Sequence, residues 1–247
     1  MVVTSTEVIW HDLECGSYLA DLPLWRELAG MVRGPILDMG AGTGRVTLDL
    51  VGAGHLVIAL DLDPDLLEAL QDRAGSLQVE TVRADARSFD LDRSDFVLCL
   101  VPMQTVQLLG GATERAAFLR CARTHLRPGG LLACAIVTEL EPFDIAAGSS
   151  GPTPETARVG ETRYVSRATS VRVLPRRILI ERERQVISPG TPPANEPAWE
   201  QNVVELARVS AAELEYEASQ AGLVPEPALK IAPTDEHVGS TVVMLRA

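Results

Sequence analysis

The sequence predicts a doubly wound α/β fold, in which helices cover both faces of a parallel sheet. Strand and helix patterns alternate through the first half of the 247-residue chain, which is typical of this architecture. Most of the predicted strands are apolar throughout instead of alternating with polar residues, as strands buried on both faces are. A glycine-rich turn follows the first predicted strand directly.

Five short apolar runs in the first half are predicted as strands. They are Pro35–Met39, His55–Leu60, Leu77–Val82, Asp95–Val101 and Leu131–Val137. Helical patterns lie between or before them, at Ala20–Val32, Arg45–Ala53 and Thr113–His125. A further helix is predicted after Asp63, which can cap it, with Pro64 at its first position.

The pattern changes after Val137. Residues 141–160 are rich in Pro, Gly, Ser and Thr and are predicted as a loop. In Tyr164–Ile187 charged residues alternate with Val, Ile and Leu, which indicates antiparallel strands with one solvated face. The last elements are predicted as a strand, a helix and two strands, at Gln201–Val209, Ala211–Ala221, Leu223–Ile231 and Thr241–Leu245. Ser210 and Glu213 are expected to form a capping box at the start of that helix.

The composition limits the classes of partner. A net charge of −12 is unfavourable for binding nucleic-acid phosphates or an anionic membrane surface. We see no basic leader followed by an apolar segment, and no apolar run of the roughly 20 residues that a membrane helix needs. The cysteines and histidines are scattered, so no metal site is predicted. We expect a cytoplasmic protein with a small-molecule partner; its oligomeric state, a homodimer included, is left open.

The stretch "ILDMGAGTGR", residues 36–45, is typical of a nucleotide-binding turn between a strand and a helix. Its glycines, Gly40, Gly42 and Gly44, follow the spacing G-x-G-x-G and not the dinucleotide fingerprint G-x-G-x-x-G. The carboxylate of Asp38 would repel a pyrophosphate but suits a ligand with a positive amino group. S-adenosylmethionine, which carries an amino group, a carboxylate and a sulfonium, fits this pattern.

Acids at the ends of the next two strands support this ligand. Asp61 can accept hydrogen bonds from both ribose hydroxyls, a feature that NAD enzymes share. Asp85 can accept from an adenine amino group, with the backbone of Ala86 completing the edge contact. Each feature also has a structural interpretation: Asp61 as a helix-flanking acid, Asp85 as a solvated loop acid, and the glycine turn as a tight connection.

Five segments together resemble the class I S-adenosylmethionine-dependent methyltransferases. They are "ILDMGAGTGR", "VIALDLDPDLLEAL", "RADARSF", "DFVLCLVPMQTVQLL" and "HLRPGGLLACAIV", in the family's order and at its spacings within residues 30–137. The resemblance implies a Rossmann-like, doubly wound seven-stranded sheet whose last strand is antiparallel. It also implies a set of cofactor-binding residues: Asp38, Gly40, Ala41, Gly42, Gly44, Asp61, Leu62, Asp85, Ala86, Val101, Pro102, Gln107 and Tyr18.

The resemblance also implies how the chain is divided. Residues 34–137 and 210–247 would form the S-adenosylmethionine-binding domain. Residues 138–209 would form a small antiparallel β-meander, as in methyltransferases that act on sugars, amines and other small metabolites. Residues 1–33 would form lid helices, in which Tyr18 is the aromatic candidate for covering the cofactor. His11 and Cys15 stand where that subgroup more often has tyrosine.

Three residues are candidates for catalysis or for contact with the acceptor: His11, Tyr18 and Gln104. His11 also has an interpretation as an ordinary surface histidine, and Gln104 as a helix cap. No strong base is identified, which favours N-methylation of an amine over O-methylation, with S-adenosylhomocysteine as the product. The alternatives are other chemistry driven by the same sulfonium, such as cyclisation, a non-catalytic cofactor-binding partner subunit, and an NAD-dependent oxidoreductase.

Overall fold

The structure, a computed structural model, describes residues 5–192, 195–235 and 237–247. Its helices are α1 (Thr6–Cys15), α2 (Leu22–Gly30), α3 (Arg45–Gly52), α4 (Pro64–Ala74), α5 (Thr105–Leu108), α6 (Ala112–His125) and α7 (Ala211–Gln220). Its strands are β1 (Ile36–Met39), β2 (Val57–Asp61), β3 (Glu80–Arg83), β4 (Phe96–Val101), β5 (Leu126–Ile136), β6 (Phe143–Asp144), β7 (Glu155–Val159), β8 (Thr162–Val173), β9 (Arg177–Ile187), β10 (Glu200–Ala207), β11 (Val224–Ile231) and β12 (Ser240–Arg246). Among the described residues, no helix combines the length and the apolarity that crossing a membrane requires.

These elements divide into two compact units. The larger unit comprises Tyr18–Glu139 and Val209–Ala247, and the smaller one comprises Leu140–Arg208 with the described residues up to Ser17. The predicted insertion comprises residues 138–209, and the corresponding segment of the smaller unit is Leu140–Arg208. The two segments differ by two residues at the start and by one at the end. The predicted lid, residues 1–33, is split between the units, because α1 packs on β7 and β8 whereas α2 packs on α3.

The larger unit is built on a seven-stranded sheet with the order β11-β12-β5-β4-β1-β2-β3. β1 pairs in parallel with β2 and β4, whereas β12 is antiparallel to both β5 and β11. The predicted seven-stranded sheet with an antiparallel last strand is therefore confirmed. All residues of β1 and β4 are buried, since a hydrophobic cluster that includes helical residues lies on each face of the sheet.

Local sequence signals place the helix starts better than the strand starts. The Asp63 side chain caps α4, with Pro64 in the first turn, and Ser210 and Glu213 form the capping box of α7, as predicted. β5, however, begins at Leu126, five residues before the predicted start at Leu131. Leu126 pairs with Phe96 of β4 and Leu131 pairs with Leu98, and residues 127–130 lie in the irregularity between these two pairs.

The smaller unit contains an antiparallel sheet in which β10, β9, β8 and β6 are successive neighbours and β7 also pairs with β8. The predicted antiparallel insertion is thereby confirmed. Residues 141–160, predicted as a loop, contain β6 and β7, which form because β8 offers them backbone hydrogen bonds. Helix α1 lies on this sheet, where the ring of Trp10 is edge-on to that of Tyr164 with 5.3 Å between the centroids.

Candidate functional site

The glycine turn lies between β1 and α3, at the carboxyl end of the parallel strands. Gly40, Gly42 and Gly44 have φ values of 75°, 55° and 92°, a left-handed region that residues with a Cβ rarely adopt. A Cβ on Gly40 would lie 2.4 Å from Cγ2 of Thr105. The N–H of Gly40 donates to the carbonyl of Leu60 in β2 at 2.8 Å. The turn is therefore packed closely against its neighbours, and glycine is required where it is found.

Asp38 lies in β1, two residues before the turn, and is fully buried. Its Oδ2 atom accepts a hydrogen bond from the Thr47 hydroxyl in α3 at 2.7 Å. Oδ1 has no hydrogen-bond partner within the described part of the chain. Burial raises the pKa of Asp38 to about 6 against the opposing effects of Thr47 and Arg45, and the charges of Asp61 and Asp21 add to the rise. Such a carboxyl can accept a cationic group or a proton.

Asp61 ends β2, and its carboxylate contacts the glycine turn. Oδ2 accepts from the N–H of Gly42 at 2.8 Å, and Oδ1 accepts from the N–H of Asp63 at 3.0 Å. The alternative role of Asp61 as a helix-flanking cap is filled by Asp63. Next to Asp61, the apolar side chain of Leu62 is 60% exposed, while Ala41 of the turn is buried. This end of β2 thus presents a carboxylate and an apolar surface together.

Asp85 follows β3 and forms an ion pair with Arg87. The Arg87 guanidinium donates to both carboxylate oxygens, with 2.6 Å between Nη2 and Oδ2, and the Arg87 N–H donates to Oδ1. These hydrogen bonds from Arg87 lower the pKa of Asp85. Ala86 between them is buried. The geometry agrees with the structural interpretation of Asp85 as a loop acid, and its contact with an adenine stays a prediction.

The β4–α5 connection adopts a strained conformation that the sequence analysis missed. Met103 has a φ of 54° and is the one non-glycine residue with a positive φ in the described ranges. It follows Val101 and Pro102, which are buried at the carboxyl end of β4. The hydroxyl of Thr105 donates to the Pro102 carbonyl at 2.9 Å. No local signal could have revealed this turn, because methionine has no preference for a left-handed conformation.

The two glutamines after β4 have different surroundings. Gln107 is buried, and its amide exchanges two hydrogen bonds with the backbone of Val137, at 3.1 Å and 2.8 Å. These bonds tie α5 to the residue after β5, and the predicted contact of Gln107 with the cofactor stays a prediction. Gln104 precedes α5 without capping it, so the structural interpretation of this candidate is not observed.

Tyr18 belongs to a buried cluster that ties the segment before α2 to the glycine turn. Its ring is edge-on to that of His237, with 4.9 Å between the centroids, and burial raises its pKa. The Arg45 guanidinium donates to the Tyr18 carbonyl at 2.7 Å and to both carboxylate oxygens of Asp21. Asp21, fully buried, also accepts from Nε1 of Trp25 at 2.8 Å. The sequence analysis missed the pairing of Asp21 with Arg45, because the two residues lie twenty-four positions apart in the chain.

His11 is half-buried in α1 and belongs to the smaller unit, whereas Tyr18 and Gln104 belong to the larger one. In the smaller unit, Glu14 of α1 accepts hydrogen bonds from the Arg184 guanidinium and from the Ser166 hydroxyl. Across residues 5–192, 195–235 and 237–247, no group of three or more His, Cys, Asp or Glu side chains is arranged to hold a metal ion.

Two solved structures of methyltransferases superpose on nearly the whole of this chain. The sugar N-methyltransferase KedS8 from Streptoalloteichus sp ATCC 53650 superposes with a TM-score of 0.72 at 17% identity, over 98% of this chain and 94% of that one. CalS10, an amino pentose methyltransferase from Micromonospora echinaspora, gives a TM-score of 0.69 at 18% identity, over 100% and 99% of the two chains. At these identities the likeness establishes the fold.

Sequence comparison also finds methyltransferases. Residues 36–130 match the family model of a methyltransferase domain, so the predicted resemblance to S-adenosylmethionine-dependent methyltransferases is confirmed. The cypemycin N-terminal methyltransferase of Streptomyces sp is 30% identical over 131 residues, which cover 53% of this chain and 52% of that protein. A probable cobalt-precorrin-6B C(15)-methyltransferase of Methanothermobacter thermautotrophicus is 32% identical over 105 residues, 42% of this chain and 53% of that protein. The chain thus spans about half the length of these relatives.

Proposed function

We propose that this protein is an S-adenosylmethionine-dependent methyltransferase that acts on a small-molecule acceptor. The observation that carries the proposal is the buried carboxyl of Asp38, two residues before the glycine turn, whose Oδ1 atom has no hydrogen-bond partner among the described residues. A buried acceptor without a partner costs roughly 1–3 kcal/mol, and native proteins satisfy most such groups. The amino group on the methionine part of the cofactor is a donor of the required kind.

The residues present fit this cofactor. The Asp61 carboxylate accepts two backbone hydrogen bonds and has acceptor capacity left for the ribose hydroxyls. The exposed side chain of Leu62 offers an apolar surface to the adenine. The further contacts proposed are Ala41 with the methionine part, Asp85 and Ala86 with the adenine, and Val101, Pro102 and Tyr18 at the methyl-donor end.

When bound, S-adenosylmethionine supplies a methyl group on a positively charged sulfur, which a nucleophile displaces in line. The chain has to hold the two reactants in that geometry and exclude water from the reacting atoms. Asp38 and Asp61 would hold the cofactor from both ends of the glycine turn. Tyr18 and Gln104 are the candidates in the larger unit for contact with the acceptor, and His11 is the candidate in the smaller one.

The acceptor atom proposed is an amine nitrogen. A neutral amine already carries its nucleophilic lone pair, whereas a hydroxyl usually needs a base positioned to remove its proton, and the motifs of the chain identify no such base. An N-terminal methyltransferase that is similar in sequence and a sugar N-methyltransferase that is similar in fold support the same choice. Hydroxyl methylation, non-methyl chemistry and a non-catalytic partner subunit are the alternatives.

Calorimetric titration with S-adenosylmethionine and S-adenosylhomocysteine tests the cofactor. We expect both to bind the wild type, and Asp61→Ala to bind them roughly ten- to a hundredfold more weakly, because hydrogen bonds to a charged group are lost. Asp65→Ala, which removes an exposed acid from the same region, is the matched control and should bind as the wild type does. A folded wild-type protein that binds neither compound would contradict the proposal.

Methyl transfer from isotope-labelled S-adenosylmethionine tests the acceptor class. We expect product from amino sugars or from short peptides with a free N-terminus, and none from the matched compounds in which a hydroxyl replaces the amine. Transfer to the hydroxyl compounds alone would overturn the amine assignment. Release of methylthioadenosine instead of S-adenosylhomocysteine would favour non-methyl chemistry.

A further inference from the structure

Asp38 occupies an apolar setting at the centre of the sheet. In β1 it lies between Ala59 of β2 and Leu100 of β4, both fully buried. The hydroxyl of Thr47 donates to one carboxylate oxygen, and the other oxygen has no partner in the described chain. An ionised carboxylate in this setting would lack the several hydrogen bonds that usually stabilise a buried charge.

The cationic group that acts on Asp38 is already paired with another acid. Two further carboxylates, Asp21 and Asp61, and one guanidinium, Arg45, act on it electrostatically. Arg45 is committed to Asp21 and to the carbonyl of Tyr18. Three acids therefore share one arginine, and with all of them ionised the group would carry a net charge of −2. Protonation of Asp38 relieves both this excess and the cost of burying its charge.

We infer that Asp38 exchanges a proton for the ammonium group of the cofactor: the free protein binds the proton and the complex releases it. This inference rests on the proposed function and concerns how the same site selects its ligand. The exchange balances, because the Asp38 carboxyl loses H⁺ to solvent as its carboxylate pairs with the ligand's –NH₃⁺, and no other bond forms or breaks. The buried charge is then neutralised in the complex as it was in the free protein.

Two measurable consequences follow. Ligand affinity falls with decreasing pH below about 6, since protons compete with the ammonium group for the same carboxyl. The site should also distinguish ligands that carry the ammonium group from ligands that lack it. Methylthioadenosine has the same nucleoside but lacks the amino-acid part, so its binding should leave the proton on Asp38.

The test is calorimetric titration of the whole protein with S-adenosylhomocysteine, in two buffers of different ionisation enthalpy, at pH 6 and pH 7.5. We expect release of about half a proton per ligand at pH 6 and almost none at pH 7.5, because the free carboxyl titrates near 6. Affinity should be about tenfold weaker at pH 5 than at pH 7.5. With methylthioadenosine, the proton release at pH 6 should be absent.

Two variants test whether the released proton comes from Asp38. Asp38→Asn should abolish the release at pH 6 and reduce the loss of affinity at pH 5 to less than about twofold. Thr47→Val keeps Asp38 but removes the hydrogen bond that favours its ionised form. Release in this variant should therefore extend to higher pH and become measurable at pH 7.5. If Asp38→Asn fails to fold, the Thr47→Val result decides.

The outcomes separate this inference from the proposed function. S-adenosylhomocysteine that binds at pH 6 without proton release, or with release that persists in Asp38→Asn or is unchanged in Thr47→Val, overturns the proton exchange but leaves the cofactor assignment standing. A folded protein that binds S-adenosylhomocysteine at no pH overturns both. Release that depends on Asp38 and on the amino-acid part of the ligand supports both.

Discussion

Gly40 and Gly54 illustrate two reasons why a position requires glycine, which are backbone conformation and close packing. Both have positive φ values, 75° and 91°, so a side chain at either position would strain the backbone. A Cβ on Gly54 would meet nothing within 4 Å, whereas one on Gly40 would meet Cγ2, Oγ1 and Cβ of Thr105 at 2.4, 2.8 and 3.2 Å. Rotation of the Thr105 side chain cannot remove a contact with its Cβ. Gly40 therefore carries a packing constraint in addition to a conformational one.

Substitution of alanine at both positions separates these effects. We expect Gly54→Ala to lower the free energy of unfolding by about 1 kcal/mol, and Gly40→Ala to lower it by about 3 kcal/mol or more, because overpacking adds to the backbone strain. Urea denaturation measures both. The double variant Gly40→Ala/Thr105→Ala should recover part of the loss. A double variant no more stable than Gly40→Ala would show that the clash with Thr105 is not the cause.

Helix α7 shows how far local sequence determines an element. Ser210 accepts from the N–H of Glu213 at 3.2 Å, and the Glu213 carboxylate accepts from the N–H of Ser210 at 2.8 Å. These bonds satisfy two N–H groups that a helix start otherwise leaves unpaired. The helix packs through Leu214 and Ala218, both fully buried. Local capping thus defines where α7 begins, and burial of this face against the sheet stabilises it.

The cap of α7 has a measurable contribution to stability. We expect Ser210→Ala to lower the free energy of unfolding by about 1 kcal/mol, the usual effect of losing an N-cap. Ser219→Ala is the matched control, because Ser219 is an exposed residue inside the same helix whose hydroxyl bonds only to the Glu215 carbonyl. It should cause no loss of stability. Equal effects of the two substitutions in urea denaturation would refute the capping argument.

Across the whole molecule, acidic residues outnumber basic ones by 34 to 22, for a net charge of −12. The arginines of the smaller unit are largely paired with acids; Arg167 with Glu183 and Arg184 with Glu14 are examples. Binding to RNA or DNA is driven chiefly by release of counterions when basic side chains neutralise phosphates. This charge distribution provides little of that driving force.

The prediction is that the protein does not bind nucleic acid at moderate salt. In a fluorescence anisotropy titration at 50 mM salt, duplex RNA and single-stranded RNA should show no binding at protein concentrations up to about 100 μM. A basic RNA-binding protein, titrated in the same buffer, verifies the assay. Binding that weakens as salt is added would contradict the prediction and require a basic surface that the charge balance does not suggest.

The sequence alone was sufficient for the fold class, because its signals are local. Apolar runs without alternation predicted the parallel strands, alternation predicted the antiparallel insertion, and capping residues predicted the starts of α4 and α7. Each depends only on neighbours along the chain. The glycine turn belongs with them, since its left-handed conformations require glycine whatever packs around it. The number of strands in the sheet and the antiparallel last strand came from resemblance to a family, and the order of the strands came from the structure.

Tertiary structure alone decided which polar groups distant in the sequence meet. Gln107 bonds to Val137, thirty residues away, and Arg45 bonds to Asp21, twenty-four residues away. No spacing rule predicts such pairs, because the partners approach only when helices pack on the sheet. The same holds for the free oxygen of Asp38: its residue type suggested a cation, but only burial among apolar strands leaves that oxygen without a partner and raises the pKa of the carboxyl to about 6. A carboxyl on the surface would have water as its partner and its ordinary acidity.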